Sequence, residues 1–329
     1  MKKICAFIAS FLLVSQAMAA PAVAETKIGL VLDKGGKDDK SFNAAAYQGA
    51  MKAKDDLKIF VKYVEGSDDS AFEGMLRSFA QKDFDLIIAI GVTQADALKK
   101  VAAQFPQKHF AIVDADVKAP NVRALLFQEH EGSYLVGAIA AMMSKSGKLG
   151  FFGGMDIPLI RRFEMGYVAG AKKINPKIAI SSNFIGVTGD AWNNPPKAKE
   201  LAVSQYDSGT DIIFAAAGAS NGGLFDAAEE KKKLAIGVDS NQDWIKPGFI
   251  LTSMLKRVDV AVYESIKEAS LGKFTSGTQR YGLANQGIDY SVDEFNSKIL
   301  PEEVRKKAND LKAEIVSGKI KVPDYYQKK

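Results

Sequence analysis

The chain has 329 residues, of which 47% are hydrophobic, 25% charged and 9% aromatic, a globular composition that excludes a disordered or fibrous protein. At roughly 100–200 residues per domain there is room for two domains, each able to bury a core. The 44 basic and 39 acidic residues nearly cancel, which argues against a nucleic-acid binder with a concentrated basic face, and one cysteine with two histidines excludes a disulfide scaffold or a Cys/His zinc site.

Lys2 and Lys3 precede an apolar run from Ile4 to Val14, and small residues follow at Ala17-Met18-Ala19 and Ala22-Val23-Ala24. Charged start, short apolar middle and small-residue exit are the order of a secretory signal peptide, and the run is too short to cross a bilayer of ~30 Å as a helix. We assign residues 1–24 to a cleaved signal. Its removal leaves 42 basic against 39 acidic residues, a charge of +3, and no cysteine. Cys5 stands ahead of the apolar run, not at its end, so it is not a lipidation site. The expected product is a soluble, unlipidated protein of the periplasm.

From Lys27 onward short apolar runs alternate with amphipathic stretches. Strands are predicted at Ile28–Leu32, Ile59–Tyr63, Leu86–Ile90, Phe110–Val113 and Ala124–Phe127, then at Leu149–Phe152, Ile178–Phe184, Ile212–Ala216, Leu234–Val238 and Ile250–Met254. Helices are predicted at Ser41–Asp56, Ala71–Gln81, Gln94–Gln104, Gly132–Met143, Leu159–Lys173, Lys197–Tyr206, Gly222–Lys231, Val258–Leu271 and Pro301–Ser317, with an irregular stretch before the last. Strands that are apolar throughout read as parallel sheets covered on both faces, and repeated strand–helix units as right-handed crossovers. The fold class is therefore α/β and doubly wound. The pattern restarts near Gly147, which favours two lobes over one wide sheet.

In open α/β sheets ligands bind beyond the carboxyl ends of the strands. The residues there are carboxylates and glycines: Asp33, Gly91, Asp114, Gly218 and Asp239. Within Asp33–Asn43, Ser41 reads as a helix N-cap that places Phe42 and Asn43 in the first turn; Phe42 could stack on a flat ligand, and Asn43 offers a donor and an acceptor. Taken alone, Ser41 reads better as only a cap and Phe42 as a hydrophobic anchor. Trp192, in the polar loop Gly186–Pro196, would form an aromatic clamp with Phe42 if the lobes face each other. Asp239 suits a vicinal diol, and Lys256 would keep that carboxylate ionised, although a surface ion pair is the commoner meaning of such a pair.

Phosphate-cradle and catalytic patterns fail. No G-x-x-x-x-G-K-[ST] or G-x-G-x-x-G is present, and Gly147–Gly150 and Gly153-Gly154 read as turns bracketing a strand. Gly218-Ala219-Ser220-Asn221-Gly222 fits G-x-S-x-G, but His109 and His130 both precede it, against the order a hydrolase requires. Asp114 and Asp116 would share a face of a strand, too few ligands for a metal. No metal or cofactor is expected.

With these residues in place, the sequence resembles the basic membrane protein family of substrate-binding proteins, purine-nucleoside receptors of ABC importers. The resemblance runs through "DKGGKDDKSFNAAAYQG", "FQEHEGSYLVGAIAA", "GFFGGMDIPLIRRFEMGYVAGAK", "AAAGASNGGLF", "IGVDSNQ" and "LTSMLKRVD" in order. It implies a type I periplasmic-binding-protein fold with a nucleoside in the cleft, permease subunits as partners, a monomer, and no catalysis. It implies lobes made of residues 25–125 with 256–284 and 126–255 with 285–329. Phe42 matches the family's stacking aromatic, Asn43 and Asp114 its purine contacts, Asp33 the acid closing the first strand, and Gly218, Asp239 and Lys256 its ribose contacts. Trp192 stands where other members place a phenylalanine. A monosaccharide receptor of the same fold is the nearest alternative, and a nucleoside-cleaving enzyme or the core of a repressor are more distant ones.

Overall fold

Two six-stranded sheets carry the chain, in a computed structural model that describes residues 25–66 and 68–327; the predicted signal segment lies outside the described residues. The first sheet takes β1 (Lys27–Leu32), β2 (Phe60–Glu65), β3 (Leu86–Ile90), β4 (His109–Val113) and β5 (Val122–Phe127), linked by α1 (Phe42–Leu57), α2 (Phe72–Ala80) and α3 (Ala95–Gln104). The second takes β6 (Lys148–Met155), β7 (Ala179–Gly186), β8 (Ile212–Ala216), β9 (Leu234–Asp239) and β10 (Ile250–Lys256). Its helices are α4 (Glu129–Met143), α5 (Pro158–Ile174), α6 (Pro195–Asp207) and α7 (Asn221–Lys231). The chain then returns through α8 (Val258–Ser270) to β11 (Gly277–Tyr281) in the first sheet, and crosses back to β12 (Ile288–Tyr290) and α9 (Glu302–Val316).

The strand orders are β11-β5-β4-β3-β1-β2 and β12-β10-β9-β8-β6-β7. All pairings are parallel except that of β12 with β10. Each sheet thus reverses its winding between its first and third strands, β1 and β3 in one lobe and β6 and β8 in the other. Crevices open at such switch points. The central strands are uniformly apolar because helices cover both faces: every residue of β3 (LIIAI) and β8 (IIFAA) is buried.

The two edge additions explain the stretch that reads as irregular in sequence. β11 is GTQRY and only partly buried, and β12 is three residues long. Neither carries an apolar run, because an edge strand buries little and owes its pairing to the open edge of β5 or β10. A second difference concerns β6, which continues through Gly153 and Gly154 where a turn was expected. A Cβ at Gly154 would lie 2.2 Å from the Trp192 ring, so the bare backbone there admits an indole.

Most of α4 is buried: its apolar second half, residues 135–143, continues a helix that packs against α5, α9 and the second sheet. Its crossing with α5 is close because glycine stands at the contact: a Cβ at Gly170 would lie 1.9 Å from the Tyr134 carbonyl oxygen. Overpacking of this kind costs about 1–3 kcal/mol, so Gly170→Ala should lower the melting temperature measurably. Gly222, in the first turn of α7, has open space around its Cβ position. Gly222→Ala should be neutral or stabilising, by up to about 1 kcal/mol, in the same denaturation assay.

Candidate functional site

The turn after β1 is ordered by carboxylates, not by the serine hydroxyl. Asp39 caps α1: it accepts from the backbone N–H groups of Ser41 (2.8 Å), Asn43 (2.9 Å) and Ala44 (2.9 Å), and from the Asn43 amide Nδ2 (3.0 Å). A carboxylate answers the positive end of a helix better than a hydroxyl does. Ser41 holds the N-cap position but makes no cap hydrogen bond with its side chain. Its Oγ instead donates across to Asp239 Oδ2 at 2.6 Å, on the second lobe. Asn43 is buried, its Oδ1 receives the Asp33 N–H (2.8 Å), and one amide proton serves Asp39, which leaves one donor for the cavity. Asp33 in turn is held by the Lys34 N–H (2.8 Å) and the Thr93 hydroxyl (3.0 Å).

Two strand-end aspartates adopt left-handed backbone, Asp114 at φ 71° after β4 and Asp239 at φ 65° closing β9. Such geometry costs about 1–3 kcal/mol outside glycine and tends to persist at functional sites. Both carboxylates line the same cavity as Lys256. Lys256 Nζ contacts Asp114 Oδ2 at 2.6 Å and Glu129 Oε1 at 3.1 Å. It also lies 5.1–5.6 Å from the centroids of the Phe42, Phe127 and Phe163 rings, within cation–π range. The expected pairing with Asp239 is therefore replaced: the ammonium belongs to Asp114 and Glu129, and Asp239 takes the Ser41 hydroxyl. The reason is lobe packing, which brings the end of β4 and the start of α4 to the end of β10.

Burial raises the Asp239 pKa to about 6, with Lys256 and the Ser41 hydroxyl opposing it. Burial also raises Asp114, against the pull of Lys256 and with the push of Glu129 and Asp239. For Lys256 burial works against the charge, but Asp114, Glu129 and Asp239 outweigh it and hold the ammonium above its ordinary range. Asp114 Oδ2 is thereby committed, while its Oδ1 is buried and has no hydrogen-bond partner. Buried acceptors without partners are rare, and one in a cavity is ready for a ligand donor.

All eight candidate site residues from the sequence — Asp33, Phe42, Asn43, Asp114, Trp192, Gly218, Asp239 and Lys256 — border one cavity. Phe42 comes from α1, Trp192 from the 3₁₀ turn Gly189–Asn193, and Gly218 from the turn after β8. Sequence reading missed Asp39, Phe163, Leu159 and Ile160, which also line it, and Glu129 behind Lys256. Phe163 reads as helix core from its spacing, and nothing in the spacing of Glu129 reveals a lysine 127 positions away. Ser220 of the G-x-S-x-G segment donates to the Ala191 carbonyl (2.8 Å) and accepts from the Asn194 N–H (2.7 Å), which makes it a brace for the Trp192 turn. Asp116 bonds Thr278 and Lys118, outside this cavity, and among the described residues no acidic or histidine cluster is arranged for a metal.

Residues 26–325 match the family described as ABC transporter substrate-binding protein, PnrA-like. The chain belongs to this family. It is 35% identical over 320 residues to the CD4+ T-cell-stimulating antigen of Listeria monocytogenes, covering 90% of this chain and 88% of that one. It is 33% identical over 322 residues to the ABC transporter nucleoside-binding protein BmpA of Lactococcus lactis, covering 91% and 89%. Among solved structures, an ABC transporter solute-binding protein from Aeropyrum pernix superposes with a TM-score of 0.82 at 29% identity, over 91% of this chain and 94% of that one. The fold is that of periplasmic binding proteins, and the family function is substrate binding for an ABC transporter.

Removal of Lys256 would leave Asp114 an uncompensated buried carboxylate and Glu129 with Arg162 alone, a loss of about 3–5 kcal/mol. Lys256→Met should therefore lower stability at neutral pH by that order in chemical denaturation. Addition of Asp114→Asn should restore part of it, a non-additivity that exposed pairs do not show.

Proposed function

We propose that the protein captures purine nucleosides in this cavity and delivers them unaltered to the permease of an ABC importer. The observation that carries the reading is the free Oδ1 of Asp114, a buried acceptor beside aromatic surface and facing a second carboxylate, Asp239. A purine offers ring and exocyclic N–H donors to Asp114 and Asn43, and a flat bicyclic face to Phe42 and Trp192. Its ribose offers a vicinal diol to Asp239, with Gly218 and Lys256 alongside. Asp33 completes the acidic wall. A phosphate would meet Asp33, Asp39, Asp114 and Asp239 across a site with one ammonium already paired, so nucleotides are disfavoured. A lone pentose would leave the aromatic surface uncovered. The nucleoside-binding relative supports the same reading.

Capture proceeds by closure of the lobes about three crossings, at Phe127–Glu129, Lys256–Val258 and Tyr281–Ile288. The latch is built from bonds across the cleft: Ser41 Oγ to Asp239 (2.6 Å), Ser240 Oγ to the Ser41 carbonyl (2.8 Å) and Gln242 Nε2 to the Lys40 carbonyl (3.0 Å). The working form is an exported monomer, cleaved after the signal segment and free of lipid, since Cys5 precedes the apolar run.

Calorimetry with inosine, guanosine and adenosine should give micromolar or tighter binding and a matching rise in melting temperature. Heat with ribose and none with any nucleoside would overturn the reading. Asp239→Ala should weaken inosine binding by about 10–100-fold, the worth of hydrogen bonds to a charged acceptor, and Phe42→Ala by about tenfold or more, each with the fold retained.

Affinity has a defined acid limb. Asp239 and Asp114 both accept ligand donors as carboxylates and burial raises both, so binding should weaken as pH falls from neutrality through about 6. Ligand-free stability runs the other way. A carboxyl whose pKa is raised by folding stabilises fully below its unfolded value, and loses that contribution as pH rises through about 6. Asp239→Asn should make both slopes shallower in titrations between pH 4 and 8.

A further inference from the structure

Behind the cavity, a chain of alternating charges leads away from Lys256 to the end of the polypeptide. Glu129, whose Oε1 faces Lys256, receives Arg162 Nη1 on Oε2 at 2.8 Å. Arg162, on α5, also donates to the Phe127 carbonyl at the first crossing between lobes. Its Nε and Nη2 clasp the two oxygens of Asp324, each at 2.8 Å, and its guanidinium lies 5.2 Å from the Tyr326 ring centroid. The order is thus Asp114, Lys256, Glu129, Arg162, Asp324, with signs alternating and every side chain more than nine-tenths buried. Asp324 is the outermost member and the only one on the segment that follows α9.

We propose that Asp324 is a positioning residue of the ligand site: it holds Arg162 so that Glu129 is shared between Arg162 and Lys256, and so sets how much of the lysine is left for Asp114 and for the ligand. This inference rests on the nucleoside reading for its effect on affinity, but not for its effect on the free protein. Burial leaves these charges little solvent to answer to, so each responds mainly to its neighbour. Neutralising Asp324 leaves Glu129 as the anionic partner of Arg162. Glu129 then moves toward Arg162 and releases Lys256, which pairs wholly with Asp114. The other groups that face this row are His130 and Glu131 from α4, Asp239 from β9 and Tyr326 from the segment after α9; Glu131, which feels both Arg162 and Asp324, accepts the Leu283 N–H. His130 is held neutral by burial and by Arg162, to about 4, so it adds no charge near neutrality.

The test uses the full mature chain and reads two quantities. Carboxyl-carbon NMR of Asp114 in the ligand-free protein should show its titration midpoint lower in Asp324→Asn than in the unmodified chain. Tyr326→Ala, which keeps the charge, should leave the midpoint in place. Inosine affinity should fall about fivefold in Asp324→Asn and recover in Asp324→Glu. An unmoved Asp114 midpoint in folded Asp324→Asn, or an equal shift in Tyr326→Ala, would overturn the proposal. If the unmodified chain binds no inosine while the midpoint still shifts, the ligand reading fails and the positioning role stands.

Discussion

One fully buried ammonium group organises the cleft. Lys256 Nζ is shared by Asp114 and Glu129 and surrounded by three phenylalanine rings, at a point where residues of both lobes converge. Charges so buried are costly unless paired, and the pairing here spans β4, α4 and β10. Meeting that cost fixes the positions of the elements around it, and with them the strand-end carboxylates. The left-handed backbone of Asp114 and Asp239 belongs to the same arrangement, because both residues turn off a strand to line the cavity.

The proposed preference for a neutral ligand follows from the charge pattern. Acceptors outnumber donors along its wall, and the single cation is spent on protein partners. A neutral ligand rich in N–H and O–H groups satisfies such a wall, whereas an anion adds to an excess that burial already penalises. The apolar remainder, Phe42, Phe163, Leu159, Ile160 and Trp192, gives a flat ligand area to cover without polar cost. Ser41, Ser240 and Gln242 bond across the cleft, the first to the Asp239 carboxylate and the other two to the Ser41 and Lys40 carbonyls.

Much of this was legible in the residues alone. Leu86–Ile90 and Ile212–Ala216 are strands with the bounds that their apolar runs indicate, since a strand covered on both faces has no polar residue to blur its ends. Reading the residue after each strand found Asp33, Asp114, Gly218 and Asp239, because the doubly wound topology brings those positions to one rim. Long-range packing was less legible. Glu129 meets Lys256, and Arg162 meets Asp324, only after the lobes assemble, and no periodicity carries that information. Ser41 reads as a cap because serine is common there; the nearby Asp39 is the stronger acceptor and displaces it, which frees the hydroxyl for Asp239. β11 escaped notice because an edge strand needs no apolar run.

The central claim is that Asp114 Oδ1 awaits a donor from a neutral, flat ligand. A crystal structure of the protein with inosine tests it most directly. The account requires a base N–H within about 3.2 Å of Asp114 Oδ1, with the hypoxanthine against Phe42 and the ribose hydroxyls on Asp239. An inosine bound elsewhere, or bound here with that oxygen still unpartnered, would contradict it.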